Sequence, residues 1–128
     1  MKKKLSVPNT LLVREILTQV SDAILTIEYR FEPVDSIDFF LDTPEGQEKL
    51  DSLCMLFIAI GESLKNIDKL TDKQLLVKYK NVDWKAVKGM RDVLSHHYFD
   101  MNAEAIYNVC HDDLKLLKIT INLMIEEV

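Results

Sequence analysis

The sequence predicts an all-α protein, on three observations. Apolar residues recur at alternating three- and four-residue steps through three long stretches, which is the period of one helix face. The 128 residues include only three Gly and three Pro, which leaves little material for turns and favours long helices with few loops. No alternating polar and apolar run of useful strand length is present, nor is any internal repeat or low-complexity segment.

The first helix is expected from about Val7 to Arg30, with Ser6 as a candidate cap and Pro8 in the first turn, where a missing N–H costs nothing. Its stripe is Val13, Leu17, Val20, Ile24, Ile27 and Phe31. Glu32-Pro33-Val34-Asp35 stops it, because the residue before a proline is pushed out of the helical region. Ile37, Phe39, Phe40 and Leu41 then form a short apolar element of one or two turns. Thr43-Pro44-Glu45 has the order cap, first-turn proline and acid, and opens a second long helix reaching about Lys69 with the stripe Leu50, Leu53, Phe57, Ile60, Leu64 and Ile67. Gly61, on or beside that stripe, marks close helix approach.

Thr71-Asp72-Lys73-Gln74 reads as a capping box and predicts a short helix over Asp72–Tyr79. Asp83 or Asn81 caps the next helix, which carries Trp84, Val87, Met90 and Leu94. Asn102 caps a final helix from Ala103 to about Glu127, with Ile106, Cys110, Leu114, Leu117, Ile121 and Met124 on its buried side. Long helices with sustained stripes are the material of an antiparallel bundle. At 128 residues, one domain over residues 1–128 is expected, long enough to bury a core without metals or disulfides.

Composition narrows the chemistry. Met1-Lys2-Lys3-Lys4 is charged, but no apolar run follows it, so neither a signal peptide nor a membrane span is expected and the chain is read as cytoplasmic. Cys54 and Cys110 sit inside apolar patterns and read as reduced, buried thiols. With these and only His96, His97 and His111, no zinc-ligand spacing is available, and neither a metal nor another cofactor is expected. The net charge of −5 opposes general attraction to a polyanion, yet Lys65 to Arg91 holds eight basic against three acidic residues, a local balance of +5. That stretch leads into the chemistry-bearing segment and offers Lys85 and Lys88 as RNA contacts.

The segment is Arg91-Asp92-Val93-Leu94-Ser95-His96-His97-Tyr98-Phe99, of the form R-x-x-x-x-H-x-Y. Guanidinium stabilises phosphate oxygens, imidazole moves protons near neutral pH, and a phenol offers a hydroxyl for bonding or modification. On an ideal helix Arg91 and Tyr98 differ by about 20° and share a face, whereas Arg91 and His96 differ by about 140°. For both to meet one phosphate, either the helix loosens around Ser95 to His97 or the site is completed across a twofold dimer, which we favour because it also doubles the positive charge. Each part also has a purely structural explanation. Arg91 can pair with Asp92, Asp100 or another surface acid, the histidines can satisfy carbonyls at a helix end, and Tyr98 and Phe99 can anchor a loop.

Several segments in order give the motif its context: Ile60-Gly61-Glu62-Ser63-Leu64, then Trp84 through Asp92, then Leu94 through Phe99, and Ala105-Ile106-Tyr107. Over nearly its full length the chain resembles the HepT-type toxins of the HEPN superfamily, helical proteins encoded with MntA-type minimal nucleotidyltransferase antitoxins. The resemblance implies an antiparallel four-to-five-helix bundle acting as a homodimer, a metal-independent ribonuclease in a type VII-like toxin–antitoxin module. It implies that Arg91 and His96 are the catalytic pair, that Asp92 orients Arg91 or its dimer mate, and that Tyr98 receives AMP from the antitoxin. His97 is a second imidazole beside the pair, so the identity of the proton carrier stays open between it and His96. A different class of function, a non-catalytic nucleotide- or substrate-binding partner of a minimal nucleotidyltransferase, would use Arg91 and Tyr98 to hold a phosphate and a base or ribose.

Overall fold

A computed structural model of the chain describes residues 7–96 and 103–128. Among the described residues every regular element is helical, as expected: α1 (Val7–Phe31), α2 (Asp38–Asp42), α3 (Pro44–Leu70), a 3-10 turn (Leu76–Lys78), α4 (Trp84–His96), α5 (Ala103–Asn108), a π turn (Val109–Asp113) and α6 (Leu114–Glu127). Helix α3 is packed against α1, α2, α4 and α5, and α6 returns along α1. The α1–α6 pairing is antiparallel, with Ser21 donating to Asn122 and Lys118 paired to Glu28 at 2.9 Å.

The predicted stripes make the core. Val13, Leu17, Val20, Ile24 and Ile27 of α1 are buried against Leu50, Leu53, Phe57, Ile60, Leu64 and Ile67 of α3 and Ile106, Cys110, Leu114, Leu117, Ile121 and Met124 of the last helical stretch. Each such large side chain taken wholly out of water contributes about 1.5–3 kcal/mol before the ordering cost. The Thr43 hydroxyl accepts the Gly46 N–H at 3.0 Å and so caps α3. Asp83 is the cap of α4, accepting the Ala86 N–H at 3.0 Å, while Asn81 instead donates to Thr120 of α6. The proposed caps Ser6 and Asn102 lie outside the described residues.

Two local expectations are corrected. Thr71 to Gln74 ends α3 and opens no helix: the Thr71 hydroxyl donates back to the Ile67 carbonyl at 2.8 Å, and the Lys73 N–H reaches the Asp68 carbonyl. Asp72 and Lys73 stand in the left-handed region at φ 53° and 60°, so the chain reverses there and only the 3-10 turn follows. A capping-box pattern opens a helix only if its first hydroxyl is available to the N–H groups that follow, and here the helical register of α3 claimed Thr71 first. The last helix is also interrupted by the π turn, whose Leu114 N–H bonds to the Val109 carbonyl five residues back. Two successive four-residue steps, Ile106 to Cys110 to Leu114, would drift round an ideal α-helix; the wider turn keeps all three buried.

Candidate active site

The chemistry-bearing segment lies on α4 where that helix meets α3, and a glycine sets how closely. A Cβ built on Gly61 would stand 2.8 Å from the Arg91 Cβ and 3.3 Å from the Lys88 carbonyl, so only glycine lets the backbone of α4 rest here. One residue on, Glu62 meets the Arg91 Nε at 3.1 Å, and the Arg91 Nη1 donates to Asp92 at 2.9 Å. Both oxygens of Asp92 also accept from the Lys65 ammonium, at 3.1 and 3.2 Å. Arg91 is therefore held from α3 through Glu62 and, by way of Asp92, through Lys65. Among the described residues its Nη2 group has no carboxylate partner.

The group is solvated and fully charged. The Arg91 side chain is 38% exposed and that of Asp92 51%. The hydrogen bond to Asp92, followed by the charge of Glu62, holds the Arg91 guanidinium above its ordinary range. The bond from Arg91 and then that from Lys65 hold the Asp92 carboxyl below its own. A permanently charged guanidinium fixed on two sides, with one amino edge unpaired among the described residues, is suited to bind an anionic oxygen in a set orientation.

Beside Arg91 runs a groove of about 620 Å³ lined by Lys65, Asp68, Lys69, Asp72, Lys73, Lys85, Lys88, Gly89 and Asp92. Lys85 and Lys88, singled out from the sequence, both line it. Lys88 is engaged by Asp68 in a close ion pair, which commits part of its charge within the protein.

His96 is the last residue of α4, and the backbone is α-helical without a break from Arg91 to it. The helix therefore does not loosen between the two positions, and they remain about 140° apart round it. His97 and Tyr98 lie outside the described residues. Cys54 and Cys110 are free and buried, each thiol pushed up to about 12, in both cases mainly by burial, so neither is a nucleophile at neutral pH. Among the described residues no cluster of three or more His, Cys, Asp or Glu could hold a metal ion, and no helix is long and apolar enough to cross a membrane.

Sequence reasoning brought Arg91 and Asp92 together but missed Glu62, and it gave Gly61 a close approach without saying to what. A signal existed: Gly61, Glu62, Lys65 and Lys69 recur on one side of α3 at helical spacing, where the opposite side is apolar. What was lacking was the register of α4 against α3.

The sequence profile of the HepT-like ribonucleases matches residues 14–124. The chain belongs to that family. A candidate RNase of Methanocaldococcus jannaschii is 40% identical over 50 residues, which are 39% of this chain and 38% of that protein. A candidate RNase of Caldanaerobacter subterraneus subsp. tengcongensis is 42% identical over 48 residues, 38% of this chain and 39% of that protein. The chain thus matches about two fifths of the length of each of these relatives. No solved structure gives a significant match.

Proposed function

We propose that this member of the HepT-like family is a metal-independent endoribonuclease, the toxin of a toxin–antitoxin pair, working through Arg91 and His96. The observation that carries the reading is the Arg91 guanidinium, fixed by Glu62 and Asp92 and with no carboxylate on Nη2 among the described residues, in a chain of a ribonuclease family. Arg91 would hold a non-bridging oxygen of the scissile phosphate and offset charge developing on it. His96 would take the proton of the ribose 2′-hydroxyl as that oxygen bonds to phosphorus, or deliver a proton to the 5′-oxygen as its bond to phosphorus breaks. The products are a 2′,3′-cyclic phosphate and a 5′-hydroxyl, and no metal ion takes part.

A homodimer is part of the proposal. The unbroken α4 separates positions 91 and 96, so a second copy of the motif is the simplest source of an imidazole-bearing face opposite Arg91. Val93, an apolar side chain 58% exposed, falls only about 60° round α4 from position 96 and gives that side of the helix something to bury. Control is assigned to Tyr98: its phenolic oxygen would attack the α-phosphorus of ATP on an MntA-type nucleotidyltransferase, releasing pyrophosphate. The attached AMP would set negative charge and bulk near Arg91, where the RNA phosphate must sit.

Expression without the partner should stop growth, and His96→Ala, folded to the same extent, should relieve it; equal toxicity of the two proteins would overturn the reading. After coexpression with the partner, intact mass should rise by one or more AMP units, and the rise should vanish in Tyr98→Phe.

A further inference from the structure

We infer that the groove between α3 and α4 is the track for the sugar–phosphate backbone of single-stranded RNA, holding nucleotides that flank the phosphate at Arg91. The inference rests on the ribonuclease reading and adds where the substrate lies. Lys65 and Lys69 stand on the α3 wall and Lys85 and Lys88 on the α4 wall, with Lys73 where α3 ends. Asp92 and Asp68 engage Lys65 and Lys88, whereas Lys69, Lys73 and Lys85 have no carboxylate partner among the described residues. Three uncommitted ammonium groups thus share one groove in a chain whose net charge is −5.

One further feature has no internal explanation and points to a ligand. Gly89 sits in the middle of α4, where glycine costs about 1 kcal/mol relative to alanine. A Cβ there would meet nothing within 4 Å, so packing does not require the glycine. It lines the groove, and a bare backbone there lets another backbone come close. The left-handed reversal at Asp72 and Lys73 that ends α3 also brings the Lys73 ammonium to the groove.

The dimensions and the neighbour favour a nucleic-acid strand over an acidic protein. Eight residues of α4, from Lys85 to Asp92, span about 10 Å, the length of about three stacked nucleotides at ~3.4 Å each. At its Asp92 end the groove reaches the carboxylate that holds Arg91, so a strand lying in it continues to the reacting phosphate.

The test measures binding of a short fluorescein-labelled single-stranded RNA by anisotropy across a salt series, on full-length His96→Ala protein so that no cleavage intervenes. Adding Lys69→Glu, Lys73→Glu and Lys85→Glu together should weaken binding roughly tenfold or more and flatten the log–log salt slope by about 0.7 per lost phosphate contact. Gly89→Leu should also weaken binding while raising the melting temperature, since leucine is the better helix former. Wild-type affinity and slope in the lysine variant would overturn the inference, including the case in which that variant loses a protein partner instead. If the lysine variant without His96→Ala cleaves RNA with unchanged KM, the groove fails and the nuclease reading stands. Lysine-dependent binding by a chain that never cleaves would leave the groove standing and remove the nuclease.

Discussion

Three single residues, Gly61, Glu62 and Asp92, fix the guanidinium that the sequence singles out. Gly61→Ala gains about 1 kcal/mol of helix propensity, but the added methyl group meets the Arg91 Cβ, and overpacking of this kind costs about 1–3 kcal/mol. The net result should be a lower denaturation midpoint together with weaker RNA cleavage, since Arg91 is what must move. Arg91→Lys should lose activity at least tenfold with little change in stability, because one ammonium cannot replace a planar fork bonded to Glu62, Asp92 and a phosphate together. Asp92 gives a pH prediction with a definite sign. Its carboxyl is held low by Arg91 and Lys65, so its contribution to folding is complete above the ordinary carboxyl value of about 3.9 and is lost only as pH falls through the lower folded value. An acidic limb of the rate profile near pH 6–7 should therefore belong to a histidine and persist in Asp92→Asn. Disappearance of that limb in the variant would show that the carboxylate titrates in the working range. The Arg91–Asp92 pair was legible because the two are adjacent; Glu62 lies 29 positions earlier, and nothing local announces a contact made only when two helices pack.

At the scale of elements the sequence was most readable where one face carries the pattern. The stripes of α1 and α3 and the caps of α3 and α4 stand where periodicity and cap chemistry put them, because burial of an apolar face and satisfaction of the first N–H groups act in the same direction. Thr43→Ala should accordingly cost about 1 kcal/mol in a denaturant titration. The misread stretch is Thr71 to Gln74, where the same four residues suit a helix start and a helix end. Long-range packing decides between them, since Ile67 of the preceding turn is fully buried and fixes the register of α3 up to Thr71. The left-handed reversal that follows was invisible for a related reason: Asp and Lys occupy positions where glycine would have signalled it. Asp72→Gly should thus stabilise the protein by up to about 1 kcal/mol, seen as a higher melting temperature. The π turn likewise left only a faint trace, two successive four-residue steps in the stripe, which periodicity reads as an ordinary helix.

At the scale of the whole molecule, α3 is the element on which the site depends: one side is the core, and the other supplies Gly61, Glu62 and Lys65 to α4. The fold places the α3 seam and the position of His96 on different sides of α4, and a homodimer would resolve that separation. Mixing Arg91→Ala with His96→Ala protein should then restore about a quarter of wild-type activity, because half of randomly mixed dimers would carry one intact pairing of Arg91 from one copy with His96 from the other. Additive, inactive mixtures would confine each site to one chain. The central claim, that Arg91 and His96 cleave RNA without a metal, is tested most directly by incubating the purified chain with RNA in excess chelator and identifying the product ends. The wild type should leave 2′,3′-cyclic phosphate and 5′-hydroxyl ends, and His96→Ala should leave the RNA intact. Cleavage that persists in His96→Ala, or that stops in the wild type when metal is withdrawn, would contradict it.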